Sequence, residues 1–166
     1  MMGLMQNVKR LGELLAAKDV RVVMAESCTA GLASAALARL PGISQWHCGS
    51  AVTYREPTKS AWLDVSPSDL QQYSAVSQPV AEQMALGVLA KTPEASYSAS
   101  VTGHLGPDAP PDLDGVVFVA VAARVNGGIQ LIEVRQFRLA KQSRRQRQKE
   151  AAAILLERLA HHIAAS

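Results

Sequence analysis

The stretch "VRVVMAESCTAGLASAALARLPG", residues 20–42, decides the fold. "VRVVMA" reads as a strand covered on both faces, the setting in which strands carry near-continuous apolar runs. "TAGLASAALARLPG" is rich in helix formers and stops at Pro41-Gly42, so a helix follows the strand at once. Glu26-Ser27-Cys28 then falls at the carboxyl end of a strand, where α/β sheets commonly place their sites.

Working outward, Val8, Leu11, Leu14 and Leu15 recur at helical spacing before the strand. After it, "CGSAVTY" (48–54) alternates as a second strand, and "REPTKSAWLDV" (55–65) reads as a loop entering a short helix. Ser66 and Pro67 have the chemistry of an N-cap and a first helical residue. "SQPVAEQMALGVLAK" (77–91) predicts a core-facing helix with Ser77 placed to cap it, ending before Pro93. "ASYSASVTG" (95–103) predicts a third strand running into "GHLGPDAPPDLDG" (103–115), whose three prolines and three glycines exclude regular structure. Long loops of this kind inside compact domains are often functional. "VVFVAVAARV" (116–125) and "IQLIEVRQFRL" (129–139), joined by Asn126-Gly127-Gly128, form a β-hairpin pattern, and 142–164 reads as one long helix. This order predicts an α/β fold, a three-layer α/β/α sandwich with a mixed five-stranded sheet. With no repeat, low-complexity tract or linker, residues 1–166 are expected to form a single domain.

Composition narrows the function classes. At 166 residues and 48% hydrophobic content the chain has enough apolar surface to bury a core. Only 4% of residues are aromatic, which argues against a surface built to stack single-stranded bases, so nucleic acid is not the expected partner. The net charge of +3 is concentrated between Arg135 and Arg158, which reads first as a solvated helix face and second as an anion-attracting patch. Cys28 and Cys48 show neither metal spacing nor a disulfide framework, in keeping with a reducing compartment. No run approaches the ~20 apolar residues that span a bilayer, and the N-terminus lacks a signal-peptide pattern. A cytoplasmic protein without membrane partners is the expectation.

Three strand ends lead into unusual loops: "ESCTAG" (26–31), "VTYREPTK" (52–59) and "SVTGHLGPD" (100–108). Ser27 at a helix start would sit beside free backbone N–H groups able to hold an oxyanion or a phosphate. Thr29 has the alternative role of a simple cap, and Gly31 leaves room for a ligand. Cys28 is a competing nucleophile, although a small buried cysteine is the commoner outcome. Histidine partners for Ser27 are poor: His47, His161 and His162 read as structural or exposed, and His104, in the third loop, is the one retained as a substrate contact.

At "AESCTAG", "VTYREPTK", "AVSQPVAEQMALG" and "VTGHLGPD" followed by "DGVVFVAV", the chain resembles the CinA C-terminal domain family, the nicotinamide-nucleotide amidases. The likeness runs from about Leu4 to Ala160. It implies a three-layer α/β/α domain that hydrolyses the carboxamide of nicotinamide mononucleotide to nicotinic acid mononucleotide and ammonia, with no metal or organic cofactor. Longer members carry a separate N-terminal domain associated with ADP-ribose hydrolysis, so only the amidase activity is expected to carry over. The family's proposed Ser-Tyr-Lys set falls on Ser27 as nucleophile, Lys59 as general base and Tyr54 as proton relay or hydrogen-bond partner of the lysine. Lys59 must then be largely neutral, although an unperturbed lysine titrates near ~10.4. Substrate contacts are expected from Cys28, Thr29 and Gly31 in the turn, from Thr102, Gly103, His104 and Gly106 in the third loop, and from Arg145, which matches an arginine of the family's terminal helix.

The chain departs from that pattern where the family usually has "SCTGG" and "GPDGG": Ala30 and Ala109-Pro110 replace glycines. Lys141 stands where an arginine is usual, losing bidentate phosphate geometry, and His104 where a small or apolar residue is usual. An amidase for another carboxamide, and a non-catalytic nucleotide- or nucleic-acid-binding homologue, are the alternatives. Homo-oligomerisation is left open.

Overall fold

The computed structural model describes residues 2–166. The chain runs α1 (Leu4–Lys18), β1 (Val22–Glu26), α2 (Leu32–Leu37), β2 (His47–Val52), α3 (Glu56–Leu63), α4 (Pro67–Tyr73), α5 (Gln78–Ala90), β3 (Tyr97–Gly103), β4 (Val116–Val125), β5 (Gly128–Arg138) and α6 (Arg144–Ala165). The strands form one mixed five-stranded sheet in the order β2-β1-β3-β4-β5. β1 is parallel to both β2 and β3, β4 runs antiparallel to β3, and β5 runs antiparallel to β4.

The buried run of β1 divides between two cores because successive strand side chains face opposite ways. Val22 and Met24 pack with α1, α2 and α6, whereas Val23 and Ala25 pack with the end of α3, α4 and α5. β3 is split in the same way. Ala99 and Val101 face the α6 side. Ser98, Ser100 and Thr102 donate their hydroxyls to the carbonyls of Ala85, Ala81 and Ala75 at 2.7, 2.6 and 2.7 Å. These bonds satisfy polar groups that burial would otherwise penalise. From β1 the chain moves to β2 on one side and returns to β3 on the other. The carboxyl end of β1 is therefore a switch point of the sheet, the crevice where α/β folds receive ligands.

Several local expectations are corrected. The helix expected to reach Pro41 stops at Leu37, and the next residues turn so that Leu40 lies on Gly12 of α1, where even a Cβ would come within 2.4 Å of Leu40 Cδ1. Residues expected to begin as a loop form α3 from Glu56, with Pro57 in its first turn, where its missing N–H costs nothing. Ser66 does cap α4, accepting from the Asp69 N–H, but the Ser77 hydroxyl instead donates to the Ser74 carbonyl at 2.9 Å. In the hairpin turn Asn126 and Gly127 both take positive φ, 51° and 82°, as a tight two-residue turn requires. No helix among the described residues is long and apolar enough to cross a membrane.

Candidate active site

Ser27 follows directly on β1, and its N–H donates to the Val101 carbonyl at 3.0 Å, extending the β1–β3 ladder by one residue. On the other side the Thr53 N–H donates to the Glu26 carbonyl at 2.9 Å, so the loop after β2 is held against the same strand end. That loop leads into α3, whose first turn carries Lys59 inward. The lysine side chain is wholly buried; its Nζ donates to Ser27 Oγ at 2.8 Å and to the Thr53 carbonyl at 2.5 Å. Among the described residues no carboxylate lies within ion-pair distance of it. Burial therefore dominates, and the Lys59 pKa is pushed down to about 8, against the weaker opposing pull of Cys28 and Glu56. Burial drives the Cys28 thiol the other way, up to about 12, so it is a core side chain and not a competing nucleophile.

The turn itself is shaped by a residue that sequence reading passed over. The wholly buried carboxylate of Glu26 accepts from the N–H groups of Ala33 and Ser34 at 3.0 and 2.9 Å, capping α2 from seven residues upstream. No capping pattern announces this, because the usual cap lies two or three residues before the amides it serves. It also corrects the expectation of a free helix end beside Ser27: the α2 amides are taken. The N–H groups of Thr29 and Gly31 in the turn meet no acceptor among the described residues. Ala30 and Gly31 hold the turn with φ of 52° and 89°. Glycine adopts these angles freely, whereas alanine does so at a cost.

The other candidates are dispersed. Tyr54 is exposed, and its hydroxyl accepts from Arg144 Nη2 at 2.8 Å; it bonds neither Ser27 nor Lys59. The buried Thr29 side-chain oxygen has no partner among the described residues, while the Thr29 carbonyl accepts from Gln148 at 3.1 Å. Thr102 spends its hydroxyl on Ala75. Gly103 is required by packing, since a Cβ would come within 2.3 Å of Val117 Cγ1. Gly106, at φ 68°, passes close to the Arg147 guanidinium. His104 pairs through its backbone with Val116 and Gly115, and its ring makes no hydrogen bond among the described residues. Arg145 is exposed and unbonded there; its neighbours Arg144 and Arg147 turn toward the loops instead. The basic stretch is partly structural: Arg147 forms a bidentate pair with Asp114 and holds its carboxyl below the usual range, while against the opposing effect of burial Arg158, bidentate, and His162 together do the same for Glu133.

These features describe an α/β/α domain with a buried serine–lysine pair at the switch point of its sheet. The chain belongs to the CinA C-terminal domain family, whose model matches residues 5–163. It is 38% identical over 105 residues to the nicotinamide-nucleotide amidohydrolase PncC of Escherichia coli K12, covering 63% of each chain. With the PncC of Enterobacter agglomerans it shares 45% over 98 residues, 59% of each. A CinA-like protein of Gloeothece citriformis is 38% identical over 127 residues, which are 75% of this chain but only 30% of that protein. The chain thus spans under a third of that CinA-like relative and under two thirds of either PncC. The fold is similar to crystal structures of competence damage-inducible protein A (ComA) from Klebsiella pneumoniae, with TM-score 0.88 at 26% identity over 98% of both chains, and of competence/damage inducible protein CihA from Agrobacterium tumefaciens, with TM-score 0.86 at 29% identity over 96% of this chain and 94% of that one.

Proposed function

We propose that the chain is an amidohydrolase that converts nicotinamide mononucleotide and water to nicotinic acid mononucleotide and ammonia in the cytoplasm. Family membership and the activity named for the PncC relatives support the reaction class. The observation that carries the reading is the buried Lys59 amine 2.8 Å from Ser27 Oγ, with a pKa near 8. A pKa of about 8 leaves roughly one molecule in ten neutral at pH 7, against fewer than about one in a thousand for an ordinary lysine.

In the neutral form the Lys59 lone pair takes the Ser27 proton as Oγ attacks the carboxamide carbon. The N–H groups of Thr29 and Gly31 are the donors available to the resulting oxyanion. As the C–N bond breaks, Lys59 returns the proton to the leaving nitrogen and ammonia departs, leaving an ester on Ser27. Water then attacks the ester carbonyl, giving its proton to Lys59, and Ser27 leaves with that proton restored. The Thr53 carbonyl keeps the amine aimed at Oγ throughout. For Tyr54 to assist as relay, its hydroxyl must leave Arg144 and turn toward Lys59.

Ammonia release from nicotinamide mononucleotide by the purified protein tests the proposal, and release no greater than that of Ser27→Ala overturns it. A different carboxamide is the second reading, favoured by the Ala30 methyl in a turn where glycine fits better. It predicts Ser27-dependent ammonia from another member of a carboxamide panel, with the mononucleotide a poor substrate.

A further inference from the structure

The turn that carries Ser27 is closed by two backbone bonds. The Ala30 N–H donates to the Ser27 carbonyl at 3.0 Å, and the Leu32 N–H to the Thr29 carbonyl at 3.1 Å. Between them Ala30 takes φ 52°, a left-handed conformation that alanine leaves readily for negative φ. The Gly31 N–H belongs to the Ala30–Gly31 peptide, so rotation about the Ala30 N–Cα bond changes its direction relative to the Thr29 N–H. The spacing of the two amides that face no acceptor thus depends on a disfavoured backbone angle at the residue between them.

One side chain reaches this turn from a distant part of the chain. Gln148 Nε2 donates to the Thr29 carbonyl at 3.1 Å across 119 residues of sequence. Among the described residues it is the only side chain that bonds a backbone group of residues 27–31. Gln148 stands one helical turn after Arg144 on the same face of α6. Arg144 bonds Tyr54 in the loop after β2 and Gly106 in the loop after β3. This face of α6 therefore braces all three strand-end loops, and Gln148 is its hydrogen bond to the loop after β1. Glu26 fixes the α2 end of that loop through Ala33 and Ser34, and Gln148 fixes its middle.

We propose that Gln148 is a positioning residue that holds the Thr29–Ala30 peptide, so that the Thr29 and Gly31 N–H groups on either side of it stay aimed at one oxyanion. The proposal rests on the amidohydrolase reading above. Preorganised donors stabilise a transition state only where their directions are fixed before the reaction begins. Here a glycine would take the required angle freely, and Ala30 does not. The Gln148 amide supplies from α6 the restraint that the turn's own sequence lacks, and it does so without touching substrate.

Oxyanion donors act in the transition state, which gives the test its signature. Gln148→Met, which keeps the length and removes the donor, should lower kcat for nicotinamide mononucleotide by about 10- to 100-fold with KM within about 2-fold of wild type. Gln148→Glu, whose carboxylate would face the Thr29 carbonyl, should lose at least as much. In an Ala30→Gly background, Gln148→Met should cost less than about 3-fold, because glycine holds positive φ unaided. An unchanged kcat, a loss carried by KM, or an equal loss in both backgrounds overturns the proposal. Hydrogen exchange reads the turn without catalysis. In Gln148→Met the Ala30 and Leu32 amides should exchange about 3- to 10-fold faster while the Met24 and Ala25 amides of β1 keep their wild-type rates. Ala30 and Leu32 amides no faster than in wild type sink the proposal, and so does a uniform acceleration, which marks general destabilisation. If the wild-type protein releases no ammonia from the mononucleotide, the amidohydrolase reading fails, and the exchange rates still decide whether Gln148 holds the turn.

Discussion

Ser27 and Tyr54 each accept a hydrogen bond of 2.8 Å from a cationic side chain, the first from Lys59 and the second from Arg144. The pairs share one end of the sheet and differ in their surroundings. Lys59 is wholly buried without a carboxylate, so the cheapest response to desolvation is to lose its proton. Arg144 is exposed, and a guanidinium keeps its proton in any case. One contact geometry thus holds an amine drawn toward its neutral form in one place and a permanent cation in the other. What separates them is solvent access and side-chain chemistry, not distance.

The comparison is broken most severely at its buried half. On the proposed mechanism Ser27→Ala should reduce ammonia release by at least about 10³-fold, since nothing else in the turn replaces its hydroxyl. Lys59→Met should cost about 10²- to 10⁴-fold, and Lys59→Arg should fare no better, because a guanidinium cannot act as a base near neutral pH. In the wild-type protein kcat/KM for the mononucleotide should climb from pH 6 and level off above about 8, as Lys59 deprotonates. A pH-independent profile in steady-state assays would remove Lys59 from the role of base.

Stability should also rise with pH, over a higher range. The folded pKa of Lys59 lies below the 10.5 of an ordinary lysine, so between about 8 and 10.5 the unfolded chain binds the extra proton and stability rises with pH. Lys59→Met abolishes that rise. It should therefore melt higher than wild type at pH 7, with the advantage shrinking toward pH 10; thermal unfolding at both pH values checks the sign.

Smaller effects sharpen the role of the turn that positions Ser27. Glu26→Ala strands two amide donors and should cost about 2 kcal/mol in urea denaturation, while Glu26→Gln, which keeps an acceptor, should cost less. Ala30→Gly, at an exposed position with φ 52°, should stabilise by about 0.5–1 kcal/mol.

Much of the fold was legible. The run around Val22–Ala25, the hairpin about Asn126-Gly127 and the hydrophobic spacing of α1 each carry a local period that tertiary packing merely completes. Less of the site was. Ser27 stood out from its place at a strand end and Lys59 only through resemblance, and their pairing follows only from folding, because 32 residues separate them. Glu26 was missed because its carboxylate caps a helix at an unusual offset. Arg145 was named from its match to an arginine of the family's terminal helix, and nothing in the sequence told where either it or its neighbour Arg144 would lie. Helix rotation relative to the sheet sends one into solvent and the other, across 90 residues of chain, to Tyr54. Thr102 looked like a ligand donor until the close approach of the loop before α5 claimed its hydroxyl.

The sequence by itself determined the strands, most of the helices, and that the first strand breaks into a turn at Ser27 on the way to a helix, because those properties follow from apolar period and backbone chemistry within a few residues. Only the tertiary structure decided that Lys59 lies dry against Ser27 while Tyr54 is held outside by Arg144. Desolvation and hydrogen-bond partnership are set by what packs around a group, and here those neighbours come from β2, β3, α3 and α6.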